Sequence, residues 1–289
     1  MTLGYRVLDV RDPVQAVPLG VHLLYPTTAL AQPIAFGPYA IEAATDAPFG
    51  DAIEHVVAIS HGTGSSPWTH RVVATRLAEH GCAVVLIAHA GNTRGDDALA
   101  GTPSNLANRP RHVKLALDAA FVALAAMDHI KSQNRATLVG HSLGGYTALA
   151  AAGGHPLALP DETADGVAHP VEVAHDARID RIALLAPAVP WLMAPGALDG
   201  VRARVFARTG ERDELCPPAF VEHVLRGLPA SAALDYAAVP NAGHFSFMSP
   251  MPAALVRPGF APAFDPPGFD RAAYQATLAA ELLAFIRST

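Results

Sequence analysis

Short unbroken apolar runs alternate along this chain with longer stretches of helical spacing. Val7 to Val10 and Gly20 to Tyr25 read as two opening strands, antiparallel to each other. Val56-Val57-Ala58-Ile59 is a compact apolar run that ends in Ser60-His61-Gly62-Thr63-Gly64. Trp68 to His80 has helical spacing, and Gly81 closes it. Ala83 to Ala88 is a further buried strand, and the polar stretch from Gly91 to Asn108 reads as a loop. Pro110 then suits the first turn of a helix that continues from Val113 to Ile130. Ala136 to Val139 is a strand that runs directly into Gly140-His141-Ser142-Leu143-Gly144-Gly145, and Tyr146 to Ala152 reads as a helix. Later strands are expected at Arg181 to Leu185, Ala203 to Ala207 and Leu234 to Val239, with a last amphipathic helix from about Asp270 to Ile286.

Val/Ile/Leu runs without alternation mark strands covered on both faces. Repeated strand-helix units built on such runs predict a mostly parallel α/β sheet with helices on both sides, in a single domain over residues 1–289. Two stretches break the alternation. Residues 153–178 are rich in Gly, Pro, Asp and His and are expected to form a small cap or surface excursion. Residues 249–269 combine many prolines with Phe260, Phe264 and Phe269, which excludes a helix or an inner strand. That loop either walls a substrate pocket or packs over the core.

The sharpest chemical signal is Gly140-His141-Ser142-Leu143-Gly144, which has the Gly-x-Ser-x-Gly form of a nucleophile elbow. A strand must turn abruptly into a helix there, with the serine at a strained apex and small neighbours relieving the crowding. A serine hydroxyl needs a neighbouring base. In the α/β-hydrolase fold the partners follow in the order serine, acid, histidine. His244, in Asn241-Ala242-Gly243-His244-Phe245 after the last strand, is the candidate base. Asp213, in Gly210-Glu211-Arg212-Asp213-Glu214-Leu215-Cys216-Pro217, is the candidate acid, with Glu211 and Glu214 expected to face solvent. The acid would hold the imidazole tautomer and stabilise the imidazolium. The Gly-rich turn after Ile59 and the start of the helix after Ser142 supply the candidate oxyanion donors, the backbone amides of Thr63 and Leu143. The turn could alternatively cradle a phosphate, but no Gly-x-x-x-x-Gly-Lys-Ser/Thr accompanies it. Near these turns, His61, Trp68, His89, His141, Tyr146 and Phe245 are the candidate pocket-lining residues.

Composition removes several other classes. The chain has 289 residues, a formal net charge of -6 and no block of like charge, so nothing favours nucleic acid or an anionic membrane as a partner. No apolar stretch reaches the roughly 18 residues of a membrane span. Met1 to Arg6 shows no basic region followed by an apolar run, so no secretory leader is expected, and two cysteines fit a reducing cytoplasm. Fourteen histidines are scattered without metal-ligand spacing, so neither a metal nor a cofactor is expected.

Leu24-Tyr25-Pro26-Thr27, Ser60 to Gly64, His89-Ala90-Gly91-Asn92-Thr93, Arg109-Pro110, Gly140 to Tyr146 and Gly243-His244 together resemble the predicted dienelactone hydrolase group. That group is related to platelet-activating-factor acetylhydrolases and cutinase-like polyester hydrolases. The resemblance runs from about residue 5 to 287 and implies carboxylic ester hydrolysis on a small-molecule substrate. Dienelactone hydrolases carry cysteine at the elbow, where this chain has Ser142. The acetylhydrolases take their acid from the turn after the strand following the elbow helix. Here that stretch, Leu184 to Ala188, has no carboxylate, which leaves the later Asp213. An amidase or acyltransferase using the same residues is the alternative, and a non-catalytic binding protein is a third.

Overall fold

A computed structural model describes residues 2–50, 53–125 and 134–288. The two opening strands are longer than their apolar cores: β1 (Thr2–Asp12) and β2 (Val17–Thr27) pair antiparallel along their whole length. A hairpin of β3 (Gln32–Phe36) and β4 (Tyr39–Thr45) follows, turning at Gly37 with φ of 60°. The sequence pattern did not predict this hairpin. In β4 the buried Tyr39 and Ile41 alternate with exposed Ala40 and Glu42 before the buried pair Ala43 and Ala44, so it has no long apolar run.

The parallel core comes next. It comprises β5 (His55–Ser60), β6 (Cys82–Ala88), β7 (Ala136–His141), β10 (Ile179–Leu185), β11 (Arg204–Gly210) and β12 (Asp235–Val239). Between β7 and β10 lies a two-residue ladder, β8 (Leu157–Ala158) with β9 (His169–Pro170). The main sheet has the order β12-β11-β10-β7-β5-β6-β2-β1-β4-β3, parallel from β12 to β6 and antiparallel where β2 joins β6.

Helices α1 (Arg71–Glu79) and α5 (Arg271–Arg287) cover one face of the sheet. Helices α2 (Pro103–Ala125), α3 (Leu143–Ala151) and α4 (Pro218–Leu225) cover the other. Successive residues of one strand therefore serve different cores: Ala83, Val85 and Ile87 pack with α2 and α3, whereas Cys82, Val84 and Leu86 pack with α1 and α5. This two-sided burial explains the unbroken apolar runs. Trp68 to His80 divides into a 3-10 turn over Pro67–His70, capped by the Ser66 hydroxyl, and then α1. Asp270 caps α5 by accepting the Ala273 amide at 3.0 Å.

Helix α2 differs from expectation. It begins at Pro103, within the stretch read as loop, and Pro110 lies inside it. The end of the expected helix, residues 126–130, lies outside the described residues. Proline lacks the N–H that would bond the carbonyl four residues back. That carbonyl belongs to Leu106, and the buried Tyr146 hydroxyl donates to it at 3.1 Å. A side chain from α3 thus satisfies the backbone group that proline leaves open, which is why the helix passes through Pro110.

The excursion at 153–178 is held together by the β8–β9 ladder and a 3-10 turn at Pro160–Glu162. Residues 249–269 contain two short 3-10 turns, Ala253–Leu255 and Ala261–Ala263. No helix among the described residues is long and apolar enough to cross a membrane.

Candidate functional site

Strands β5, β7, β11 and β12 all end at one edge of the sheet, and the chemistry-bearing turns follow them. Ser142 sits between β7 and α3 with φ of 55° and ψ of -120°, a region that L-residues avoid. The backbone holds it there: its amide donates to the Leu185 carbonyl at 3.0 Å, and its carbonyl accepts the Gly145 and Ala188 amides. The glycines of the elbow are sterically required. A Cβ on Gly140 would collide with the Gly144 carbonyl, one on Gly144 with the Ser60 carbonyl, and one on Gly145 with Pro187.

His244 opens a 3-10 turn over His244–Phe247. Its Nε2 lies 3.0 Å from the Ser142 hydroxyl oxygen, and its Nδ1 lies 2.9 Å from Oδ2 of Asp213. The Asp213 side chain is wholly buried, and its other oxygen accepts the amides of Leu215 at 2.9 Å and Cys216 at 2.7 Å. A carboxylate accepts only, so Nδ1 carries the proton and Nε2 presents a lone pair to the serine hydroxyl. Glu211 and Glu214 are exposed, and Glu211 accepts the Asn241 amide at 2.8 Å.

The Ser60–Gly64 turn faces the elbow. The His61 ring donates from Nδ1 to the Gly62 carbonyl at 2.7 Å and accepts the His89 amide at Nε2. The Gly62 carbonyl and the Thr63 N–H belong to one trans peptide, so pinning the carbonyl aims that N–H the opposite way. Neither the Thr63 nor the Leu143 amide has a backbone partner among the described residues.

A cavity of about 640 Å³ opens over Ser142 and His244. Thr63, His141 and Phe245 line it, together with residues the sequence did not single out for the pocket: Tyr39, Leu215, Cys216, Met248 and Arg94. Met251, Phe260 and Pro262 from the 249–269 loop also line it, so that loop walls the pocket. The 153–178 excursion contributes no residue to the lining.

Four expected pocket residues lie elsewhere. Trp68 stacks on Phe36 beneath the opening strands, with ring centroids 3.6 Å apart. Tyr146 is committed to Leu106, as described. His61 is behind its turn, fully buried. His89 is buried too, with Nε2 at 2.8 Å from the Ser60 hydroxyl and Nδ1 at 3.2 Å from His112. Burial keeps His61, His89 and His141 well below the ordinary histidine range. His61 and His89 follow the ends of β5 and β6 and point into the protein, whereas Trp68 lies on the 3-10 turn before α1 and Tyr146 on α3, each facing a core.

Among the described residues, Asp213, Cys216 and His244 bring metal-ligand atoms within 4.8 Å of one another. The Asp213 oxygens and His244 Nδ1 are already engaged with each other and with backbone amides, and burial pushes the Cys216 thiol up to about 12. This donor set suits a hydrogen-bonded relay better than an ion.

The family described as Hydrolase_4, serine aminopeptidase S33, matches residues 51–165, under half of the chain. No curated protein matches the sequence. Among solved structures, a ferulic acid esterase from Streptomyces cinnamoneus is similar with a TM-score of 0.71 at 20% identity, over 99% of this chain and 89% of that one. A dienelactone hydrolase from Anabaena variabilis is similar with a TM-score of 0.59 at 18% identity, over 99% of this chain and 100% of that one. The sheet order, the strand-elbow-helix turn and these likenesses agree: the chain has the α/β-hydrolase fold.

Proposed function

We propose that this protein is a serine hydrolase that cleaves a carboxylic ester through an acyl-enzyme. The observation that carries the reading is the continuous hydrogen-bond relay from Asp213 through His244 to Ser142, ending on a strained elbow at the floor of an apolar cavity. The Ser142 oxygen attacks the ester carbonyl carbon while His244 Nε2 takes its proton. Negative charge develops on the carbonyl oxygen within reach of the Thr63 and Leu143 amides. Collapse of the tetrahedral species breaks the bond to the alkoxy group, which leaves with the proton from Nε2. Water then attacks the acyl-serine, giving a proton to His244, and the acid departs as Ser142 regains its hydrogen. Asp213 stays ionised throughout and stabilises the imidazolium.

Tyr39, Phe245, Phe260, Met248 and Met251 make the cavity suited to an apolar acyl or aryl group. The serine aminopeptidase match supports amide cleavage as a second reading. Residues 51–165 contain the oxyanion turn and the elbow but not Asp213, His244 or the pocket loop, so the match bears on the nucleophile rather than on the substrate.

A fluorophosphonate probe should label the protein at Ser142, and Ser142→Ala should lose both the label and ester turnover, the latter by roughly a millionfold. Turnover retained in that variant would end the proposal. A panel of p-nitrophenyl esters of increasing length, an aryl ester, a lactone and an anilide separates the two readings. Faster cleavage of the anilide than of every ester would favour the amidase.

A further inference from the structure

The Arg109-Pro110 pair was notable in the sequence, yet neither residue lines the cavity. Arg109 is the largest fully buried side chain among the described residues. Its guanidinium meets no carboxylate within hydrogen-bonding distance there. It donates instead to neutral oxygens: from Nε to the Thr147 hydroxyl at 2.9 Å, from Nη1 to Asn92 Oδ1 at 2.7 Å, and from Nη2 to the Ser60 hydroxyl at 3.2 Å and to the His61 carbonyl. Asn92, itself buried, donates onward from Nδ2 to the Thr63 hydroxyl at 2.9 Å and to Asp97.

Burying a cation against neutral partners is costly, and an apolar side chain of similar size would fill the same space more cheaply. The planar fork, however, reaches points that no apolar residue could fix. Three of them, Ser60, His61 and Thr63 through Asn92, are in the turn that carries the Thr63 amide. The fourth, Thr147, lies on the helix after Ser142, so one guanidinium spans both halves of the candidate oxyanion hole.

We propose that Arg109, acting with Asn92, is a positioning residue that sets the Ser60–Thr63 turn against the elbow helix so that the Thr63 and Leu143 amides converge on one oxygen. This rests on the reading of Ser142 as nucleophile. Arg109 does not touch the substrate. It fixes the carbonyl of one peptide in the turn while the His61 ring fixes the next, and Asn92 holds the Thr63 side chain. Displacing an oxyanion donor by an ångström costs transition-state stabilisation and leaves ground-state binding largely alone.

The test uses the full chain as wild type, Arg109→Lys, Asn92→Ala and Thr63→Val. Each is titrated with a fluorophosphonate so that turnover of a p-nitrophenyl ester is expressed per reactive serine. Arg109→Lys keeps the charge but cannot bridge the turn and helix, and kcat per titrated site should fall about tenfold to a hundredfold with KM within about threefold of wild type. Asn92→Ala and Thr63→Val leave Arg109 and its bond to His61 in place and should lose about tenfold in kcat, which keeps the proposal testable if Arg109→Lys does not fold. Affinity for a trifluoromethyl ketone, whose adduct places an oxyanion in the hole, should fall in proportion to kcat/KM in every variant. Variants that melt earlier but turn over at the wild-type rate per titrated site would overturn the positioning role, leaving the nucleophile reading intact. A wild-type chain that neither reacts with the probe nor cleaves the ester would overturn that reading, and this inference with it.

Discussion

The His141 imidazole donates from Nε2 to the main-chain carbonyl of His244 at 2.9 Å. The residue just before the elbow serine thereby anchors the loop that carries the candidate base, across 103 positions of sequence. The two rings lie 5.1 Å apart, and burial together with the neighbouring imidazoles keeps His141 neutral. A neutral ring with its proton on Nε2 is the form that can donate here.

His141→Ala should therefore loosen His244 relative to Ser142. The expected outcome is a fall in kcat of about tenfold per fluorophosphonate-reactive site, since small misplacement of a general base is strongly felt. Steady-state kinetics with active-site titration check it, and an unchanged kcat would show that the His244 loop is held by other means.

Asp213→Asn preserves shape but reverses a proton. The two backbone amides that now bind the carboxylate would keep the new amide oxygen, leaving its NH2 to face His244 Nδ1. The imidazole would then hold its proton on Nε2 and could not accept from Ser142. Turnover should fall by roughly four orders of magnitude near neutral pH. A loss of less than tenfold in an ester assay would remove Asp213 from the relay.

Tyr146→Phe should destabilise the protein without affecting the chemistry directly. It leaves the Leu106 carbonyl buried and unpaired, at a cost of about 1–3 kcal/mol. Pro110→Ala restores an N–H to that carbonyl and should be less harmful, or even beneficial, in the Tyr146→Phe background. Urea unfolding of the two single variants and the double variant forms a double-mutant cycle. Strict additivity would mean that Tyr146 and Pro110 do not share the carbonyl.

Stability should decline in mild acid. Burial lowers His70 from 6.5 to about 4, and it lowers His112 to about 4 although Asp12 opposes the shift. Between those values the unfolded chain binds protons that the native protein cannot accept, so stability is full above pH 6.5 and falls as pH drops toward 4. Each such histidine contributes a slope of about 1.4 kcal/mol per pH unit. Urea midpoints at pH 7 and pH 5 measure the total, and His70→Asn should reduce the difference. Equal midpoints at the two pH values would contradict the buried-histidine account.

Much of this architecture is encoded locally. Unbroken apolar runs mark strands buried on both faces, so β5, β6, β7, β10 and β11 are legible in the sequence to within a few residues. The elbow is legible because its glycines are required by contacts within a few residues or with one neighbouring strand, as at Gly140 and Gly145. Ser142, Asp213 and His244 follow β7, β11 and β12, parallel strands whose C-terminal ends lie at one edge of the sheet, so their turns are brought together by the topology.

Other features depend on partners far away in sequence. The β3–β4 hairpin buries alternate residues against an aromatic layer that includes Trp68, so it carries no apolar run of its own. Pro110 stands inside a helix because Tyr146, 36 positions later, bonds the carbonyl it exposes. His61 and His89 flank the site in sequence but point behind it, and Arg109, which does not line the cavity over Ser142, grips the turn that carries the Thr63 amide. Sequence determines which residues sit at the sheet edge, because strand periodicity and turn chemistry are local. Only the tertiary structure decides which way each side chain points and what it holds, because hydrogen bonds and burial are set by neighbours that the chain brings together last.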